Sequence, residues 1–180
     1  MALRSTVFKA RLTVADLDRG YHATHALIIA RHPSETDERM MVRVLAFALS
    51  ASEALAFGRG LSDVEEPDLI ERDLTGAIVR WIEVGLPDDR AILKACGKAE
   101  SVVVAAYGTG VNLWWKGIAG KVARARNLEV WTVTPDLSRA LAALATRSMD
   151  LQVTIQEGLI WFSDGAETVE IQPERLFPAP

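Results

Sequence analysis

Hydrophobic and polar positions alternate from the start of the chain. Thr6, Phe8, Ala10, Leu12 and Val14 fall on one face and Ser5, Lys9, Arg11 and Thr13 on the other, which predicts a half-buried strand. Ala15 to Gly20 reads as a turn and Tyr21 to Arg31 as the returning strand of a hairpin. The period then lengthens. Ser34 is a candidate N-cap, Asp37 lies three residues on, and Met41, Val42, Leu45 and Leu49 follow at helical spacing, predicting a helix to about Leu55. Phe57 to Leu61 ends it, and a polar loop runs from Ser62 to Pro67.

Asp68 to Asp73 and Ile78 to Val84 predict a second hairpin, turned at Leu74-Thr75-Gly76. Its second strand is β-branched and apolar on both faces, as a central strand is. Pro87 opens a helix whose buried stripe is Ile92, Leu93, Cys96 and Ala99. A buried strand (Val102 to Tyr107), a helix (Val111 to Arg124), a strand (Leu128 to Val133) and a last helix (Pro135 to Ala145) follow. The chain closes as a three-stranded meander through Leu151 to Gln156, Leu159 to Phe162 and Thr168 to Ile171. The expected fold is α/β: a mixed sheet flanked by helices, with an N-terminal β-hairpin and a C-terminal three-stranded β-meander. With 180 residues and no repeat or linker, one domain over residues 1–180 is expected.

Composition narrows the class. Apolar runs such as Ala26 to Ala30 are far too short to span a bilayer, and the first residues lack the apolar stretch of a signal peptide. A single cysteine, Cys96, rules out an internal disulfide framework and fits a reducing cytoplasm. The net charge of −4 provides no global attraction to nucleic acid, so any such contact has to rest on a local basic groove.

Three acids stand where a solvated face would not put them. Glu38 shares the side of its helix that carries Met41, Val42 and Leu45, although an acid there also complements the helix dipole. Glu83 shares a strand face with Val79 and Trp81; it either needs a charge partner, hydrogen bonds or a metal, or reaches water at the strand mouth. Asp68, after Pro67, opens the strand that pairs with the Glu83 strand, which places the two acids at one end of a hairpin. Clustered carboxylates are suited to a hard divalent cation.

Other residues carry less. His22, His25 and His32 lack zinc-ligand spacing, and Cys96 reads as a buried, inert thiol. Of Trp114 and Trp115, one is expected in the core, leaving the other for stacking on bases. Arg59 reads as surface, with a phosphate contact as the alternative, and Gly108-Thr109-Gly110 lacks the residues that complete a phosphate loop.

Pro67-Asp68 with Glu83 across a hairpin, after a helix bearing Glu38, resembles the PD-(D/E)XK nuclease pattern, and the element order resembles the αβββαβ core of that group if the Arg59 region supplies an early strand. Ala30 to Met41, Trp81 to Asp88, Lys94-Ala95-Cys96 and Leu151 to Gln156 resemble the YaeQ family, understood as a variant of that fold. The resemblance implies a restriction endonuclease-like fold with Asp68, Glu83 and Glu38 as ligands of Mg²⁺ or Mn²⁺. The chain departs from the pattern at Gly85, where a lysine is expected two residues after the second acid. Arg90, Lys94 and Lys98 form a basic stripe on the next helix, and Lys94 is the preferred replacement, with Lys98 second. The implied function is a divalent-metal-dependent phosphodiesterase acting on nucleic acid, or on another phosphate ester, with Lys94 supporting the attacking water. The alternative is a non-catalytic binding or regulatory protein that keeps the fold, which the missing lysine and the acidic charge favour.

Overall fold

In a computed structural model, which describes residues 4–59 and 65–178, the hairpin opens the chain as β1 (Thr6–Asp16) and β2 (Tyr21–Arg31). Phe8, Ala10, Leu12 and Val14 are all buried, as their alternation predicts. Helix α1 (Asp37–Ser50) begins two residues later than expected. Thr36, rather than Ser34, accepts the Arg39 N–H at 3.1 Å, while Ser34 bonds the His32 ring. The helix also stops short of Leu55. Ala51 turns to an extended backbone, and Leu55–Phe57 forms a short strand, β3. A three-residue apolar run after a helix carries no period of its own, so helix and strand cannot be separated there by pattern.

Strands β4 (Leu69–Arg72) and β5 (Ile78–Val84) make the second hairpin, followed by α2 (Asp89–Cys96), β6 (Ala99–Tyr107), α3 (Val111–Val122), β7 (Leu128–Val133) and α4 (Pro135–Ala142). The meander is β8 (Ser148–Gln156), β9 (Leu159–Ser163) and β10 (Thr168–Ile171), and a further strand that the polar sequence did not announce, β11 (Glu174–Phe177), pairs with β7. The first half of the predicted Ser62–Pro67 loop, Ser62 to Val64, and the first three residues of the chain lie outside the described residues.

The expected single mixed sheet is two. Order β10-β9-β8-β1-β2 forms a five-stranded sheet and β11-β7-β6-β5-β4-β3 a six-stranded one. Hairpin and meander join because β1 and β8 pair in parallel, from Lys9 with Ser148 to Asp16 with Ile155. Both sheets are mixed, and the fold is α/β with helices flanking them. Helix α1 lies in the core they share, with Met40, Met41, Val42, Leu45 and Phe47 packed among residues of both sheets. Sequestration on all sides explains why its apolar positions show no clean stripe. A second core, Trp81, Ile92, Val102, Val104, Ile118 and Val130, fills the other face of the larger sheet beneath α2 and α3. Among the described residues, no helix is long and apolar enough to cross a membrane.

Candidate functional site

Leu69 pairs with Ile82, so Asp68, one residue earlier, stands across from Glu83 at the C-terminal end of β5. Asp68 is 3% exposed, and its Oδ2 accepts the Val84 backbone N–H at 2.7 Å. Its charge is met by a residue that the sequence reading overlooked. Arg39 Nη2, from the first turn of α1, donates to Asp68 Oδ1 at 2.8 Å, to Oδ2 at 3.0 Å and to the Val84 carbonyl at 3.1 Å. Three oxygens thus surround one cationic nitrogen. Burial lowers the Arg39 pKa, but the Asp68 and Glu35 carboxylates outweigh it and hold the pKa above the usual value.

Glu83 is half-buried on the second-core face, and its Oε1 accepts the Trp81 indole N–H at 2.8 Å. Burial is the main cause that pushes its pKa up to about 7. The Asp68 charge adds to the rise, while the Trp81 hydrogen bond and Arg39 oppose it. A carboxyl poised between protonated and ionised near neutrality is the most unusual titrating group here.

A buried ion-pair chain stands behind these residues. Glu35, 6% exposed, accepts from Arg39 Nη1 at 2.9 Å and from Arg43 Nε and Nη2 at 2.8 Å each, and Arg43, 1% exposed, also donates to the Ala30 carbonyl. Glu35, Arg39 and Arg43 recur every four residues, with Met40, Met41 and Val42 between the two arginines. That acid-then-base spacing was the legible signal for this network.

The other expected site residues lie apart from this group. Glu38 is half-buried and accepts from Ser138 Oγ of α4 at 2.5 Å. Burial chiefly raises the Tyr107 phenol's pKa; Arg39 opposes the rise and Glu38 adds to it. Lys94 is exposed on α2 and ion-pairs with Glu65 at 2.6 Å, and Lys98 lies over the Trp81 ring. Among the described residues, no three His, Cys, Asp or Glu side chains come together to hold a metal, so the expected convergence of Glu38 with Asp68 and Glu83 is not observed. Gly85 adopts φ +118°, a conformation that a lysine rarely takes, and so the backbone itself accounts for the missing side chain.

Trp114 and Trp115 are both half-buried against the second core, and Trp114 donates to the Pro87 carbonyl. Leu93 is exposed and Cys96 half-buried, because Ile92 and Ala95 carry the buried side of α2. His25 packs edge-on against Phe47.

The model of the YaeQ protein family matches residues 1–173. The YaeQ protein of Salmonella typhi is 47% identical over 173 residues, 96% of each chain, and that of Escherichia coli K12 is 44% identical over 172 residues, 95% of each. Two crystal structures are similar to the chain. YaeQ protein from Xanthomonas axonopodis pv. citri matches with a TM-score of 0.93 at 45% identity, covering 96% of this chain and 98% of that one. The Pseudomonas syringae protein matches at 0.92 and 39%, covering 96% of each. With sequence and fold matched over nearly their full length, the chain belongs to the YaeQ family.

Proposed function

We propose that the run α1-β3-β4-β5-α2-β6 is a PD-(D/E)XK-type, restriction endonuclease-like core within one domain over residues 1–180. On this reading the protein acts in the cytoplasm as a divalent-metal-dependent phosphodiesterase on nucleic acid. The observation that carries the proposal is Asp68 standing across from a half-buried Glu83 at the end of a hairpin, in that order of elements. Two carboxylates suffice for Mg²⁺ or Mn²⁺ where waters and substrate phosphate complete the shell. Held between the Asp68 and Glu83 carboxylates, such an ion would supply Lewis-acid stabilisation of phosphoryl oxygens and an acidified water.

The chain's own residues do the rest. The Val84 N–H and Arg39 hold the Asp68 carboxylate in a single orientation, and the Trp81 indole does the same for Glu83. Arg39 assumes the positive role for which the lysine missing at Gly85, and Lys94 in its place, are the other candidates. Its bond to Asp68 supports this choice, since Lys94 is held by Glu65. Glu38 contributes through a water or a second ion. Purified protein should cleave nucleic acid only with Mg²⁺ or Mn²⁺, and Glu83→Ala should abolish the cleavage; equal activity in that variant assigns the reaction to a contaminant.

A second reading is that of a binding or regulatory module without catalysis. It is favoured by Arg39 already occupying the oxygen cluster, together with Gly85. Calorimetric titration separates the two: no Mg²⁺ or Mn²⁺ binding at millimolar concentration leaves the module.

A further inference from the structure

At the far end of α1 from Arg39, a cavity of about 530 Å³ opens between the two sheets, within the size range of small-molecule sites. Trp131 and Val103 of the larger sheet face Ile155 and Ile160 of the smaller one, giving an apolar interior.

The rim is built from fixed charges. Helix α1 carries no basic residue in its last turn, and its terminal carbonyls are met from outside. Arg19 Nη1 donates to the Ala51 carbonyl at 3.0 Å, with its Nε on Asp16 at 2.6 Å, and Arg80 Nη1 donates to the Ser50 carbonyl at 3.0 Å. Asp18 accepts the backbone N–H groups of Glu157 and Gly158, tying the turn of one hairpin to that of the other. Each of these groups is committed within the protein.

Two charged residues of the lining are not. Glu129 and Arg175 make no hydrogen bond or ion pair among the described residues, although both line the cavity. Glu129 lies two residues before Trp131 on β7, and Arg175 stands opposite Trp131 on β11. Such diagonal neighbours are rooted about 7–8 Å apart. The cavity therefore offers one free anion and one free cation, a short distance apart, beside an apolar wall. The acids and bases in the lining balance, three of each, so the field favours a ligand without net charge.

We propose that this cavity binds a small zwitterion of the amino-acid class, a free amino acid or a dipeptide. Glu129 receives the ammonium, Arg175 the carboxylate, and the Trp131 wall the apolar side chain. An Arg–carboxylate contact can be bidentate, which fixes orientation as well as energy. The site lies at the opposite end of α1 from Asp68 and Glu83 and does not depend on their role.

The test is calorimetry on the full chain with four probes: phenylalanine, leucyl-glycine, phenylacetate (no ammonium) and phenethylamine (no carboxylate). Binding of phenylalanine or the dipeptide is expected, with both single-charge analogues at least about tenfold weaker. Arg175→Gln and Glu129→Gln should each weaken the zwitterion by about tenfold, while unchanged melting temperatures exclude a folding defect. A free amino acid as ligand shows as preference for phenylalanine, a peptide as preference for leucyl-glycine, and either supports the site. No binding of either zwitterion at millimolar concentration overturns the proposal. So does phenylacetate binding as tightly as phenylalanine, which would mark a plain anion site.

Discussion

At the N-terminal end of α1, Arg39 and Arg43 bond Glu35, Asp68 and two backbone carbonyls, and every one of these side chains is buried or nearly so. At its C-terminal end, about 21 Å away by helix rise, Arg19 and Arg80 serve the helix carbonyls while Arg175 and Glu129 have no partner among the described residues. The same charged residue types thus serve two purposes. Closed pairs fix backbone segments relative to one another, whereas free charges in a cavity are available to something from outside. The closed end behaves as part of the core, so disturbing it should cost stability. The open end should tolerate change and register it only in binding.

The largest effect expected is from Glu35→Ala. It leaves Arg43 buried without a counter-charge, and loss of one partner of a buried pair costs about 3–5 kcal/mol. Urea unfolding would read this as a midpoint shift at constant slope. A shift no larger than that of a surface substitution would make the closed network dispensable and erase the contrast between the two ends.

An intermediate effect, dependent on pH, is expected at Glu83. Its folded pKa, about 7, lies above that of an unfolded glutamate. Between those two values the unfolded chain releases a proton that the folded chain keeps. The stability contribution is therefore full below the unfolded pKa and is lost as pH rises towards 7. Glu83→Gln, which stays neutral, should remove this slope and be the more stable protein above neutrality, by on the order of 2 kcal/mol. Melting curves from pH 4 to pH 8 would show wild type and variant diverging as pH rises; parallel curves would mean that Glu83 titrates as an ordinary surface acid.

The smallest effect belongs to Arg175→Gln at the open end. With no partner among the described residues to lose, its unfolding free energy should stay within about 0.5 kcal/mol of wild type. A larger loss in the urea midpoint would place Arg175 among the structural charges and collapse the distinction between the two ends.

Much of the strand pattern was legible because single-face burial writes itself as alternation, as in Phe8 to Val14 and Leu151 to Ile155. The union of hairpin and meander was not, since parallel pairing of β1 with β8 leaves no local trace in either strand. Asp68 and Glu83 could be placed together because a short hairpin fixes register, whereas Glu38 was drawn to them only by family likeness and instead bonds Ser138, a hundred positions away. Arg39 was missed for a related reason. An arginine in the first turn of a helix reads as solvent-facing until one knows that another strand end lies above it. The cavity was illegible altogether, because its walls come from elements far apart in the chain.

The parallel ladder between β1 and β8 also sets a timetable for synthesis. Lys9 cannot meet Ser148 until Ser148 has been made, and at about 5–20 residues per second the outer edge of β1 waits unpaired on the order of ten seconds. During that interval the β1 backbone is a template for any extended segment, including another nascent copy. The strand that stitches the finished molecule together is thus the one most in need of shelter while the molecule is being made.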